Sequence, residues 1–293
     1  MSWRTVVITN RCKLDMKLGF MVIRSEDTKR ILLDEISVLV IENAGIAITG
    51  CLLNELAKRK IKVIFCDEKH NPLSELMPLY GAHDCSSKIR AQLEWSREIK
   101  DIAWTVIVSE KIRQQAVHLR LLGHDTEADM LNKYIAEMEV GDETNREGHA
   151  AKVYFNALFG VTFSRGSSNA LNAALNYGYS LILSLVNREV CACGYLTQLG
   201  LFHDNMFNSF NLSCDIMEPL RIAVDRFVCK KMYGIFEGAQ KHEMLTILNK
   251  PVIISGSEQL LTNAVRIYVH SVFDALNNGN MAEIRFCTYI DEE

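Results

Sequence analysis

Proline is scarce, four in 293 residues, and two of the four, Pro72 and Pro78, fall in one short stretch ending near Gly81. Proline continues neither a helix nor a central strand, so the pair marks a break between units. No Cys-x-x-Cys pair occurs among the nine cysteines, and Met1-Ser2-Trp3-Arg4 opens no secretory apolar run. An odd cysteine count without either feature points to reduced thiols acting as small apolar groups in a cytoplasmic protein. Cys191-Ala192-Cys193, the closest pair, has an i,i+2 spacing that sends its thiols to different sides of a helix, away from a metal clip. The longest uncharged run, residues 166 to 187, contains four asparagines and four serines. It reaches the ~20 residues that span a bilayer, yet those polar groups make it a buried helix of a soluble protein. Several signatures are missing altogether: Gly-x-Gly-x-x-Gly after a strand, the phosphate-binding Gly-Lys-Ser/Thr loop, His-Glu-x-x-His and Gly-x-Ser-x-Gly. Their absence argues against nucleotide-driven and serine-hydrolase chemistry.

What is present is nearly balanced charge, 32 basic against 36 acidic side chains, a net of −4. Residues 1 to 80 carry 12 basic and 10 acidic groups, and residues 81 to 293 carry 20 and 26, so any anion site is local. Two stretches qualify. Between Glu147 and Glu189 the only charges are Lys152, Arg165 and Arg188, and from Arg221 to Lys231 four bases face Asp225 alone.

At roughly 100–200 residues per domain, the length accommodates two domains. The first part reads as short β-branched strands: Trp3 to Thr9, Leu18 to Arg24, Arg30 to Leu33, Ile36 to Glu42 and Ile61 to Cys66. One helix interrupts them, with Leu52, Leu53, Leu56 and Ala57 on a face that ends at Lys58-Arg59-Lys60. From about Ser86 the period becomes helical. Ile99, Ile102, Ala103, Val106 and Ile107 form one stripe, and Met130, Leu131, Tyr134, Ile135 and Met138 another. Further helices are expected at Glu147 to Phe159, Asn169 to Cys193, Pro219 to Tyr233 and Gly256 to Asn277. The predicted fold class is α+β: a small β-rich domain over residues 1–71, a linker over 72–86, and a larger all-helical domain over 87–293, each with its own core.

Three segments of the helical half are chemically unusual: Asn145-Arg146-Glu147-Gly148-His149, Gly200-Leu201-Phe202-His203, and Asp215-Ile216-Met217-Glu218-Pro219-Leu220-Arg221. Two readings stand side by side. Thr144-x-x-Glu147 and Asp215-x-x-Glu218 fit capping boxes, the second with Pro219 in the first turn, and His203 and His149 then serve as hydrogen-bonding histidines. Alternatively, two carboxylates and one imidazole suit a divalent metal that works on phosphate, with hard oxygens for Mg²⁺ and a nitrogen that welcomes Mn²⁺. Helix N-termini and the nearby bases Arg146, Lys152, Arg165, Arg221, Arg226, Lys230 and Lys231 supply the positive field that DNA requires. Cap and ligand are compatible roles. Tyr154 and Phe155 read as core rather than as stacking platforms for DNA.

These segments, with Tyr154-Phe155-Asn156 and Leu175-Asn176-Tyr177-Gly178-Tyr179, together resemble the CRISPR-associated integrase and endonuclease family of spacer acquisition, "Cas one". The resemblance spans the chain and is nearest to type II versions. It implies that Glu147, His203 and Glu218 hold Mg²⁺ or Mn²⁺ and are the catalytic residues, with Asp215 and His149 supporting them. Glu218 stands where many members have aspartate, one methylene longer with the same charge. The reaction implied is transesterification without ATP: the 3′-hydroxyl of a short captured DNA attacks a phosphodiester at the border of a CRISPR repeat. Metal-dependent nuclease activity accompanies it. The implied partners are double-stranded DNA, a second copy docked through the β-domain, and a dimer of a small ferredoxin-like adaptation protein bridging two such dimers. The DNA-end-binding ring and effector nuclease of type II systems join them, in the cytoplasm of a prokaryote with no membrane involved. Two alternatives remain open at this level: a structure-specific repair endonuclease with the same site, and a non-catalytic DNA-binding scaffold whose glutamates only cap helices.

Overall fold

The computed structural model describes residues 4–77 and 82–290. Trp3 of the first expected strand, Pro78 and Gly81 of the expected linker, and the acidic Asp291-Glu292-Glu293 lie outside the described residues.

The N-terminal part holds two four-stranded sheets. One has the order β1 (Arg4–Ile8), β5 (Ile36–Ile41), β7 (Lys62–Cys66), β8 (Pro72–Glu75), the first three strands parallel and the last antiparallel. The other has the order β4 (Thr28–Leu32), β3 (Phe20–Arg24), β2 (Lys13–Lys17), β6 (Ala47–Ile48). Helix α1 (Gly50–Lys58) crosses between β6 and β7, its start capped by Thr49, whose side chain accepts from the Leu52 N–H. Leu14, Met21, Leu39, Leu52, Leu56 and Val63 close the core between these layers.

Three strands depart from the sequence reading. In β2, Lys13-Leu14-Asp15-Met16-Lys17 alternates charged and apolar residues without β-branching, so its period of two carried the signal that its composition did not. The second is the two-residue β6. The third is β8, placed by the sequence in the linker: Pro72 is accommodated because β8 is the edge of its sheet, where a missing N–H costs no ladder bond.

The larger part is helical: α2 (Cys85–Glu94), α3 (Arg97–Leu121), α4 (Asp125–Ala136), α5 (Arg146–Phe159), α6 (Ala170–Ala192), α7 (Asn211–Met217), α8 (Arg221–Lys231), α9 (Gly238–Met244) and α10 (Leu261–Asn278). The long α6 is buried on nearly every side, which accounts for its uncharged run through Asn187. A small antiparallel sheet, β10 (Ser257–Leu260), β9 (Pro251–Ile254), β11 (Thr288–Tyr289), modifies the all-helical expectation. The helix expected from Gly256 starts instead at Leu261, after a hairpin whose turn residues Ser255 and Gly256 both have positive φ.

The two parts share a boundary that is itself core. Leu39 and Ile41 of β5 face the N-terminal interior, whereas Val38 and Val40, with Ile64 and Cys66 of β7, belong to the core of the helical part. Strands buried on both faces explain the continuous apolar run Val38-Leu39-Val40-Ile41. Among the described residues no helix is long and apolar enough to cross a membrane, and all nine cysteines are free thiols.

Candidate active site

Glu147 is set by the turn before α5. Asp142 and Asn145 both adopt left-handed backbone, a conformation their short polar side chains tolerate. The buried Asp142 carboxylate accepts the N–H groups of Arg146 (2.7 Å) and Glu147 (3.0 Å), and Asn145 Oδ1 accepts that of Gly148 (3.3 Å). With the helix start thus satisfied, Glu147 is released from the capping role that its spacing allows, and its carboxylate meets Lys111 of α3.

Glu218 opens a 3-10 turn, Glu218–Leu220, between α7 and α8, and Tyr268 of α10 donates its hydroxyl to Ile216 O (2.9 Å) to hold this corner. Its Oε1 accepts from Arg221 Nε at 2.9 Å and its Oε2 from Lys111 Nζ at 2.6 Å. Burial alone works against the Glu218 charge, but Arg221 and Lys111 outweigh it and hold the carboxyl down at about 2. Lys111 is buried at the cavity wall; burial opposes its charge, and the two glutamates restore it and push its pKa up.

His203 rests on Asp215. Asp215 does not cap α8; it is fully buried on α7, and its Oδ2 accepts the N–H groups of Leu201 (2.7 Å) and Phe202 (3.0 Å). The His203 N–H approaches the same carboxylate at 3.3 Å, and His203 Nδ1 meets Asp215 Oδ1. A carboxylate only accepts, so Nδ1 carries the proton and Nε2 keeps its lone pair. The bond to Asp215, against burial, raises the His203 pKa. Trp104 stacks on Phe202, centroids 4.5 Å apart, and meets the imidazole edge-on at 5.6 Å, which fixes the ring. Gly200 makes this close turn possible: a Cβ there would collide with the His203 carbonyl and come within 2.8 Å of Asp215 Oδ2.

Glu147, His203 and Glu218 line one cavity of about 240 Å³, together with Arg165 and Arg221. The Arg165 guanidinium is held by Asn172 (2.5 Å) and Asn176 (2.7 Å) and lies 5.4 Å from the Tyr179 ring, whose centroid is 4.7 Å from the Arg221 guanidinium. The Tyr179 hydroxyl donates to buried Asp225, whose carboxyl burial pushes up to about 6 against that hydrogen bond. The other candidates lie elsewhere. Arg146 pairs with Glu137 at 3.1 Å, Lys152 is exposed, and His149 is exposed beside the Tyr134 ring rather than behind Glu147, His203 and Glu218. Arg226 and Lys230 line a second cavity with Lys250. Tyr154 is core, its hydroxyl 2.7 Å from His118 Nδ1, whereas Phe155 forms part of the cavity wall.

Lys111 was not among the residues read from the sequence. Its signal is its place on the buried face of α3, in the 4-3-4 spacing of Trp104, Val108, Lys111 and Gln115, where a lysine needs a partner. The donor set suits a divalent ion: two carboxylates already share one cation, the Lys111 ammonium, beside an imidazole whose Nδ1 is engaged by a carboxylate. As the side chains stand, the described residues hold no group of three His, Cys, Asp or Glu within metal-binding reach.

Fold and cavity define a class: a two-sheet β-unit fused to a helical unit that gathers two glutamates, a carboxylate-held histidine and two arginines around one opening. Residues 5–234 match the family described as CRISPR associated protein Cas1, and the chain belongs to that family. A CRISPR-associated endonuclease Cas1 of Neisseria meningitidis is 38% identical over 226 residues, 77% of this chain and 74% of the relative. One from Francisella tularensis subsp. novicida is 27% identical over 242 residues, 74% and 75% of the two chains. The fold is similar to a Cas1 protein from Thermotoga maritima (TM-score 0.76, 16% identity, 99% and 100% of the two chains). It is equally similar to a casposase bound to its integration product (TM-score 0.76, 16% identity, 96% and 92%).

Proposed function

We propose that this protein is a metal-dependent DNA integrase and endonuclease of CRISPR adaptation, joining captured DNA to the repeat by transesterification. The observation that carries the reading is the convergence of Glu147 and Glu218 on one enclosed cation beside His203. The names of the relatives support it: the Neisseria protein is an endonuclease, and one fold neighbour is bound to an integration product. Glu147, Glu218 and His203 Nε2 would hold Mg²⁺ or Mn²⁺. When bound, the ion would polarise the phosphodiester and stabilise the charge that builds on it.

The chain's own residues do the rest. Asp215 fixes the imidazole tautomer and orientation, so that Nε2 faces outward with its lone pair. Arg165 and Arg221, each already held in place, present guanidinium groups to phosphate oxygens with little further loss of side-chain freedom. In the exchange one P–O bond forms to the incoming 3′-oxygen as one breaks to the departing 3′-oxygen. One hydroxyl loses a proton and the other gains one, so no nucleotide hydrolysis is needed.

We further infer that the working assembly is a homodimer joined by a small adaptation partner on double-stranded DNA. A fold neighbour solved as a Cas6-RT-Cas1–Cas2 complex supports this (TM-score 0.69, 16% identity). The direct test mixes a short duplex bearing free 3′-hydroxyls, a plasmid carrying leader and repeat, the partner protein and Mn²⁺, with and without EDTA. Metal-dependent covalent joining at the repeat borders is expected. Cleavage without joining would favour the repair-type endonuclease, and binding without either product would leave a scaffold.

A further inference from the structure

We infer that Lys111 is a resident counter-ion of Glu147 and Glu218, filling the cation position between them and leaving it when a divalent ion enters. This rests on the metal reading above and goes beyond it, by naming what the ion must displace. Glu218 has two carboxylate oxygens, and both are committed: Oε1 to Arg221 at 2.9 Å and Oε2 to Lys111 at 2.6 Å. The same ammonium touches Glu147. A metal held by Glu147 and Glu218 together would take the space between them that the Lys111 ammonium fills, so the two cations compete for one position.

Charge explains why such a counter-ion is needed. Two glutamates facing one enclosed space, with Glu218 only 5% exposed, repel each other strongly unless a cation stands between them. Arg221 neutralises one. Lys111 neutralises the other, so the folded chain need not wait for metal. Exchange of the ammonium's single charge for a divalent ion then raises the positive charge of the cavity as DNA phosphate arrives. Lysine suits this role better than arginine, because a compact ammonium on four methylenes leaves more readily than a planar fork that grips a carboxylate at two points.

The test is Mn²⁺ binding followed by electron paramagnetic resonance and calorimetry on the full chain, with the metal-induced change in Tm as a second readout. Wild type is compared with Lys111→Met, Lys111→Gln, Lys111→Arg and Glu147→Gln. Lys111→Met and Lys111→Gln are expected to bind Mn²⁺ tighter than wild type by ~10-fold or more, with a larger metal-induced rise in Tm and a lower metal-free Tm. Lys111→Arg, which keeps the charge, is expected to bind no tighter than wild type. Should Lys111→Met fail to fold, the Gln and Arg pair still decides the matter, since both keep hydrogen-bond donors and differ in charge. Equal or weaker Mn²⁺ binding by the neutral variants, with binding lost in Glu147→Gln, would overturn the counter-ion role and leave the metal site standing. No Mn²⁺ binding by any variant would overturn the metal reading and this inference with it.

Discussion

Asp215 accepts N–H groups from Leu201 and Phe202 while it holds the His203 ring, so one carboxylate shapes both the loop and the imidazole. In Asp215→Asn one acceptor oxygen becomes an NH₂ donor that faces other donors. Metal affinity or strand transfer should fall ~10–100-fold, and stability by ~1–3 kcal/mol, as read by Mn²⁺ titration and thermal melts. Unchanged metal affinity would remove Asp215 from its positioning role. Asp225 lends itself to a pH experiment. Below the ordinary aspartate range the folded and unfolded chains both carry its proton; between that range and about 6 only the folded chain keeps it. Its contribution therefore makes stability decline as pH rises through that window and level off above it. Asp225→Asn should gain Tm over wild type at pH 7 and lose that advantage at pH 4; a difference independent of pH would contradict the shift. At this scale the sequence motifs drew attention to Glu147, His203, Glu218 and Arg221, and the structure brings them to one cavity with Arg165. The resemblance implied a supporting place for His149, and the structure puts that side chain exposed beside the Tyr134 ring. Lys111 went unread because its partners lie 36 and 107 residues away, and no local pattern records them.

Helices α6 and α8 meet closely at Gly178. Gly178 faces Val224, and a Cβ at 178 would press into the valine methyls and reach within 3.3 Å of Met244 Sδ. Alanine is the better helix former by ~1 kcal/mol, but overpacking costs ~1–3 kcal/mol. Gly178→Ala should therefore lower Tm despite its helix propensity, and shift α8 with Arg221; a rise in Tm would show that the contact yields. Helix positions were largely readable, because apolar spacing over ten or more residues is a strong signal. Strand β10 was absorbed into the following helix, because its four residues adjoin the helical period of Leu261, Ala264, Val265 and Tyr268. Strand β2 shows the converse: its alternation was plain, but its charged residues hid it from a search for β-branched runs.

Across the whole molecule, the β1-β5-β7-β8 sheet serves two cores, and a polar chain follows the same path. Asn187 of α6 donates to Glu75 of β8 and accepts from Ser213 of α7 at 3.1 Å, two residues from Asp215. The β-unit thus braces the helix that positions His203, a coupling that sequence could not reveal because it joins residues 112 positions apart. On the proposed function, this frame brings Glu147, Glu218 and His203 to one ion at a phosphodiester. The strand-transfer assay on His203→Ala is the decisive measurement, because that side chain is 44% exposed and its removal leaves the Lys111 and Arg221 ion pairs of the two glutamates intact. Expected is a Tm close to wild type with Mn²⁺-dependent joining at the repeat borders reduced ~100-fold or more. Joining at the wild-type rate by a folded His203→Ala protein would contradict the claim.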